Sequence, residues 1–383
     1  MVAIAGLVGL RPAETSVAAV TAPPYDVIKP GTALEARLQA EPASIYHVIL
    51  GDDPAAAVER LTADGHLVED QEPAYYVYEQ VWGQGRRVGC FAAVAVTDYS
   101  EGQVIRHEKT FDAKVRGRIA LAEATGLNTG PVFLLTKADL TAVFAAVTAT
   151  EPLYHFTTDL GGATDLHGIA NRVWRVPADS KAGQALAEAV APTPFYIADG
   201  HHRYHAALRH GQTHALAYIT GEAEILAYNR VIRGPTTFAA IQDQLALTPT
   251  ETFSTPPKHH FAIYSDGASW LLPAKDVPED VVGGLDCSIL ERELYPLLGL
   301  THDMILDEAH FDYYAEYELA TMQEQVDSGR YDLALALAPV SVEELMAVAD
   351  AGLQDPEVVM PEKSTFFAPK ILTGLMLYRY QRA

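Results

Sequence analysis

The sequence predicts a mixed α+β fold in two lobes. Three observations carry that expectation: short β-prone apolar runs alternate with helical patterns, no internal repeat at solenoid spacing occurs, and 383 residues are about twice an ordinary domain. With 49% hydrophobic and 20% charged residues, the chain has the composition of a globular protein without long disorder.

Along the chain, the runs at 45–50, 75–81, 94–96, 132–135 and 195–198 are rich in β-branched and aromatic residues and read as strands. Helical patterns at 113–124 and 182–190 lie between them. The stretch 247–258 turns rich in Thr and Pro and ends on Pro256-Pro257, as a linker does, so residues 1–247 and 258–383 are expected to form the two lobes. In the second lobe, strands are expected at 261–264 and 333–338, and helices at 288–298, 312–327 and 342–351.

Charge narrows the partners. Lys and Arg total 27 against 50 for Asp and Glu, a net charge of -23 that repels nucleic-acid backbones and anionic membrane surfaces. A small-molecule substrate is expected, with no nucleic acid and no membrane, and the oligomeric state is left open. Two cysteines, Cys90 and Cys287, support neither a disulfide framework nor a cysteine-rich zinc site. The start Met1-Val2-Ala3-Ile4 lacks the basic segment of a signal peptide, and no apolar run reaches the roughly 20 residues that span a bilayer, so the expected location is the cytoplasm.

The sharpest signal is Tyr196-Ile197-Ala198-Asp199-Gly200-His201-His202-Arg203-Tyr204, a strand running through a turn into a helix. Gly200 permits the tight turn, and the unpaired N–H groups at the helix start face an incoming anion. His201 and His202 add donors, and Arg203 can hold phosphate oxygens with two parallel bonds. Asp199 has three readings: a Mg²⁺ ligand, an anchor for an imidazole, or a helix cap. His201 and His205 share the spacing of a zinc pair, without the Glu that a zincin places between its histidines.

Three further segments carry chemistry. Arg106-His107-Glu108-Lys109 ends a strand pattern, and Glu108 is a candidate base beside His107 unless the loop is merely solvated. Pro23-Pro24-Tyr25-Asp26 presents Tyr25 and Asp26 on a stiffened segment, which suits a binding loop or a plain edge. Residues 360–370 hold Lys363 and Lys370 with Ser364 and Thr365, and Glu362 as the one counter-charge. Those lysines either neutralise phosphate or lie on a closing strand.

Together the stretches 22–28, 106–111, 199–204 and 360–370, with supporting matches at 45–50 and 285–290, resemble the bacterial and archaeal family catalogued as domain of unknown function 1015. The Asp-Gly-His-His-Arg turn is also similar to the phosphate-binding turn of the ParB and sulfiredoxin superfamily, which includes kinases of free serine. That resemblance implies a ParB/sulfiredoxin-like phosphate-binding lobe with a second α+β lobe. It also implies Glu108 as general base, Asp199 and His202 as further catalytic residues, and Mg²⁺ held partly by Asp199. Gly200, His201, Arg203, Tyr25, Asp26, His107, Lys109, Lys363, Ser364, Thr365 and Lys370 become the phosphate or substrate contacts.

The function so implied is phosphoryl transfer from a nucleotide or pyrophosphate to the hydroxyl of serine or a similar small metabolite. No GxxxxGK[ST] loop occurs, so the reaction is not that of a P-loop enzyme. A phosphatase acting on a phosphorylated amino acid and a non-catalytic metabolite-binding regulator are the alternatives.

Overall fold

The computed structural model describes residues 3–83, 85–158, 167–305, 307–361 and 363–382; Glu362 lies outside them. The fold is mixed α+β, in two compact units: Met1–Ala223 with Pro369–Ala383, and Glu224–Ala368.

The first unit is built on a nine-stranded sheet. At its centre, Ala74–Trp82 and Gly85–Ala95 form a long antiparallel hairpin, and His214–Thr220 pairs antiparallel with the second of these strands. Val132–Thr136 then runs parallel to His214–Thr220, Phe195–Asp199 antiparallel to Val132–Thr136, and the edge strand Val104–Ile105 parallel to Phe195–Asp199. Val77, Val94, Leu134, Phe195, Ile197 and Ile219 point into one buried cluster against helices Thr141–Thr148 and Lys181–Val190. Such near-continuous apolar strands are those of a sheet covered on its faces.

A four-stranded sheet of Leu67–Glu69, Gly9–Pro12, Leu377–Arg379 and Leu127–Asn128 completes the first unit. The C-terminal strand thus returns to pair with the start of the chain, and Thr373 bridges Ala22.

The second unit carries a six-stranded sheet in the order Thr248–Thr250, Ala268–Pro273, His260–Ser265, Leu333–Leu337, Tyr228–Ile232 and Phe311–Ala315. Helix Leu319–Asp327 sends Met322 and Val326 into its core.

Three expectations change. Residues 45–50 hold the helix Tyr46–Ile49 instead of a strand: the Ser44 hydroxyl accepts from the Tyr46 N–H at 3.1 Å ahead of a run too short for its period to declare itself. Residues 312–327 are half strand, Phe311–Ala315, and half helix; the Glu318 carboxylate accepts from the Ala315 N–H at 2.9 Å and starts the helix there. Helix Asp286–Glu293 ends five residues before 298. The compact units also do not divide within 247–258, because Thr248–Thr250 is an edge strand of the second sheet; the chain crosses between units at Ala223/Glu224 and returns at Ala368/Pro369.

Candidate functional site

Two parallel strands bring the site together. Phe195 pairs with Val104 and Tyr196 with Ile105, so both strands end at one edge of the sheet and release His107-Glu108 and Asp199-Gly200-His201 side by side. A register shift between Ile197 and Asp199 turns the second strand as it leaves the sheet. Helix His201–Arg209 follows at once, with Gly200 at φ +94°, a left-handed conformation that an L side chain adopts only under strain. Tyr204 anchors the helix: it is fully buried and donates from its hydroxyl to the Thr97 carbonyl at 2.9 Å.

His107 and His201 meet edge to face, with ring centroids 4.5 Å apart. Glu108 lies between them, Oε1 3.8 Å from His107 Nε2 and Oε2 3.5 Å from His201 Nδ1. His201 Nε2 accepts from the His107 backbone N–H at 3.4 Å, so its proton sits on Nδ1 and faces the carboxylate. Burial pushes His107 down to about 4, against the Ile197 carbonyl and Asp199. Burial and the neighbouring His107 also hold His201 well below the ordinary imidazole range. Both rings are therefore neutral at pH 7.

His202 turns outward, stacks on Phe111 at 5.9 Å and accepts from the Phe111 N–H at 3.1 Å. Burial, with Lys114 and Arg203 nearby, lowers it to about 4.

Asp199 is gripped by two cations. Lys370 Nζ donates to Oδ2 at 3.1 Å and Arg203 Nη2 to Oδ1 at 3.3 Å. Burial alone would raise the carboxyl; Lys370 and Arg203 reverse that and hold it well below the usual carboxylate range. Each cation is itself held in place. Gln80 Nε2 donates to the Lys370 carbonyl at 3.1 Å, and the fully buried Arg87 reaches the Pro369 carbonyl, fixing the segment that carries Lys370. The Arg203 guanidinium fits between two glycines: a Cβ on Gly200 would stand 2.8 Å from Nε, and one on Gly130 3.2 Å from Nη1.

Among the described residues, His107, Glu108 and His201 are the one group placed to hold a metal ion, with ligand atoms within 4.8 Å of one another. The Nδ1 proton of His201 faces the Glu108 carboxylate, while the buried His107 Nε2, 3.8 Å from it, makes no hydrogen bond among the described residues. His205 stacks on Tyr99 at 5.9 Å and is not part of that group.

Of the other residues singled out by sequence, Tyr25 lies in the first unit under the Arg118 guanidinium, 4.0 Å from its ring centre, and feels the charges of Arg203 and Asp199. Asp26 and Lys109 are exposed. Lys363, Ser364 and Thr365 belong to the second unit. There Lys363, at φ +56°, donates to the Tyr228 hydroxyl at 3.3 Å, and Ser364 is buried and donates to the Pro361 carbonyl at 2.5 Å. Thr365 is half-buried.

Sequence reasoning missed Arg118, Gly130, Gln80 and Arg87. Gln80 and Arg87, polar residues in otherwise apolar strand patterns, carried a signal; Arg118, on a helix rich in charge, carried none. No helix among the described residues is long and apolar enough to cross a membrane.

Comparison with solved structures returns distant likenesses. A free serine kinase in complex with AMP matches at 14% identity and a TM-score of 0.36, covering 73% of this chain and 87% of that one. A conserved hypothetical protein from Pyrococcus furiosus matches at 14% identity and 0.36, covering 74% and 92%. SbnI with a C-terminal truncation, from Staphylococcus aureus, matches at 13% identity and 0.38, covering 74% and 85%. No curated protein matches the chain. The family model described as "Protein of unknown function (DUF1015)" matches residues 4–288, across both parallel strand ends and the turn between Asp199 and Arg203, and the chain belongs to that family.

Proposed function

We propose that the first unit transfers a phosphoryl group from a nucleotide or pyrophosphate to the hydroxyl of serine or a similar small hydroxy metabolite. The observation that carries the reading is the pairing of Glu108, held 3.5 Å from His201 Nδ1, with the Lys370–Asp199–Arg203 array at the neighbouring strand end. The first supplies a proton acceptor and the second fixed positive charge, which are the two things phosphoryl transfer asks of a protein.

His201 Nδ1 orients the Glu108 carboxylate, and neither neutral imidazole sets a full positive charge beside it. An acceptor hydroxyl placed on Glu108 loses its proton to the carboxylate as the oxygen attacks the terminal phosphorus, and the bond from that phosphorus to its bridging oxygen breaks, so the donor leaves one phosphate shorter with the electron pair on that oxygen. Arg203, Lys370 and the first N–H groups of helix His201–Arg209 then meet the charge on the transferring oxygens. Asp199 keeps the two cations aligned. Asp199, whose oxygens already accept from Lys370 and Arg203, would hold Mg²⁺ only in part, and the ion would add its positive charge to theirs at the donor's phosphates.

Replacing Glu108 by Gln tests the role. Turnover is expected to fall by about 10²- to 10⁴-fold, the usual contribution of a positioned base, with donor affinity unchanged. Full turnover in Glu108→Gln would remove Glu108 from the chemistry.

A further inference from the structure

Beside the turn, the first unit has an open cleft lined by Tyr25, Arg118, Asn128 and Arg203 on its polar side and by Ile119 and Leu216 on its apolar side. Arg118 comes from helix Asp112–Thr125 and lies over the Tyr25 ring, 4.0 Å from its centre. Among the described residues it makes no hydrogen bond and no ion pair. Asp26 acts on it electrostatically without pairing, while burial and the like charge of Arg203 both work against its cationic form. A guanidinium that lies over a ring, is partly desolvated and lacks a carboxylate partner, facing a second guanidinium across one cleft, is an arrangement that an oxyanion completes.

The apolar wall of Ile119 and Leu216 beside the two guanidinium groups suits an oxyanion carried on a short carbon skeleton over a bare inorganic ion.

We propose that this cleft is the carboxylate subsite of the acceptor: Arg118, with Arg203 at its edge, grips the carboxylate of a small hydroxy acid, and the wall of Ile119 and Leu216 meets its carbon skeleton. The term acceptor rests on the phosphoryl-transfer reading; the subsite itself is defined by binding alone. It makes the carboxylate a requirement, so a compound with the same hydroxyl and no carboxylate is excluded.

Calorimetric titration of the full chain tests this with L-serine and glycerate as carboxylate probes, ethanolamine as the probe without a carboxylate, and pyrophosphate as the phosphate probe. At least one carboxylate probe is expected to bind and ethanolamine not to. Arg118→Ala is expected to weaken that carboxylate probe by about 10- to 100-fold, the effect of losing a hydrogen-bonded charge partner, and pyrophosphate by less than about threefold. Arg118→Lys, which keeps the charge and loses the fork, is expected to fall between wild type and Ala, and it carries the test if the Ala variant does not fold.

Neither carboxylate binding to the wild type, ethanolamine binding as well as serine, or an unchanged carboxylate affinity in the variants would overturn the subsite. A loss confined to pyrophosphate would overturn it too, by assigning the cleft to the donor. Arg118-dependent binding of a carboxylate in a protein that transfers no phosphoryl group would keep the subsite and sink the kinase reading.

Discussion

Replacing Lys370 by Met removes one of the two cations on Asp199 while keeping most of the side-chain stem. Lys370 Nζ stands 3.1 Å from Oδ2, with the two side chains 9% and 21% exposed. Unit charges about 4 Å apart attract by about 4 kcal/mol at an effective dielectric near 20. Desolvation of both groups and the remaining Arg203 contact take back part of that, so a loss of about 2 kcal/mol is expected at pH 7. Urea unfolding, followed with Asp199→Asn in a double-mutant cycle, isolates the coupling, expected at about 1–2 kcal/mol.

The pH dependence has a definite sign. A carboxyl held below its unfolded value near 3.9 contributes stability that is fully present above that value and is lost as pH falls through the folded one. The penalty of Lys370→Met is therefore flat from pH 8 to 5 and shrinks only below about pH 4. A penalty under about 0.5 kcal/mol at pH 7, or one that changes between pH 8 and 5, would refute the charge pairing described for Asp199.

The buried histidines add a second window of the same sign at higher pH. His107 and His202 are pushed down to about 4 and His201 lies well below its ordinary range, so the unfolded chain binds more protons below about pH 6.5 and stability falls from there toward pH 4. Each contributes a slope of up to about 1.4 kcal/mol per pH unit, and His202→Gln should flatten the measured stability–pH curve by one such increment. Gly130→Ala would place a methyl 3.2 Å from Arg203 Nη1. It should weaken pyrophosphate binding by about tenfold, the loss of one charge-assisted contact, with the unfolding midpoint little moved; unchanged affinity in calorimetry would show that the guanidinium tolerates displacement. Gly200→Ala combines that crowding with φ +94°, and should lower stability by more than about 1 kcal/mol in urea unfolding.

The Asp199 turn was legible because three local signals agree on it: an apolar strand, a glycine where the backbone turns left-handed, and a helix pattern bearing His and Arg. The segment on the adjacent strand was legible as chemistry, but its place beside the turn was not. His107 meets His201 only through the parallel register of Tyr196 with Ile105, and nothing between residues 105 and 196 announces that pairing. Lys370 was visible as a lysine in an acidic chain, yet its partner depends on the chain returning at Pro369–Ala383, which the Thr- and Pro-rich stretch near 250 concealed. The short helix Tyr46–Ile49 and the strand Phe311–Ala315 were misassigned for one reason: runs of four or five residues are too short for a period to show, and neighbouring packing decides them. Arg118 sits on a helix rich in charge, where no pattern distinguishes a residue lying over Tyr25 from one in solvent.

The central claim, phosphoryl transfer at the turn from Asp199 to Arg203, is tested most directly by phosphorus NMR. The full chain is incubated with Mg²⁺, serine and ATP, ADP or pyrophosphate in turn, beside Arg203→Ala. A new phosphomonoester resonance with one donor, lost in the variant, is the expected result; unchanged spectra with every donor from a folded protein that still binds them would contradict it and leave a metabolite-binding protein.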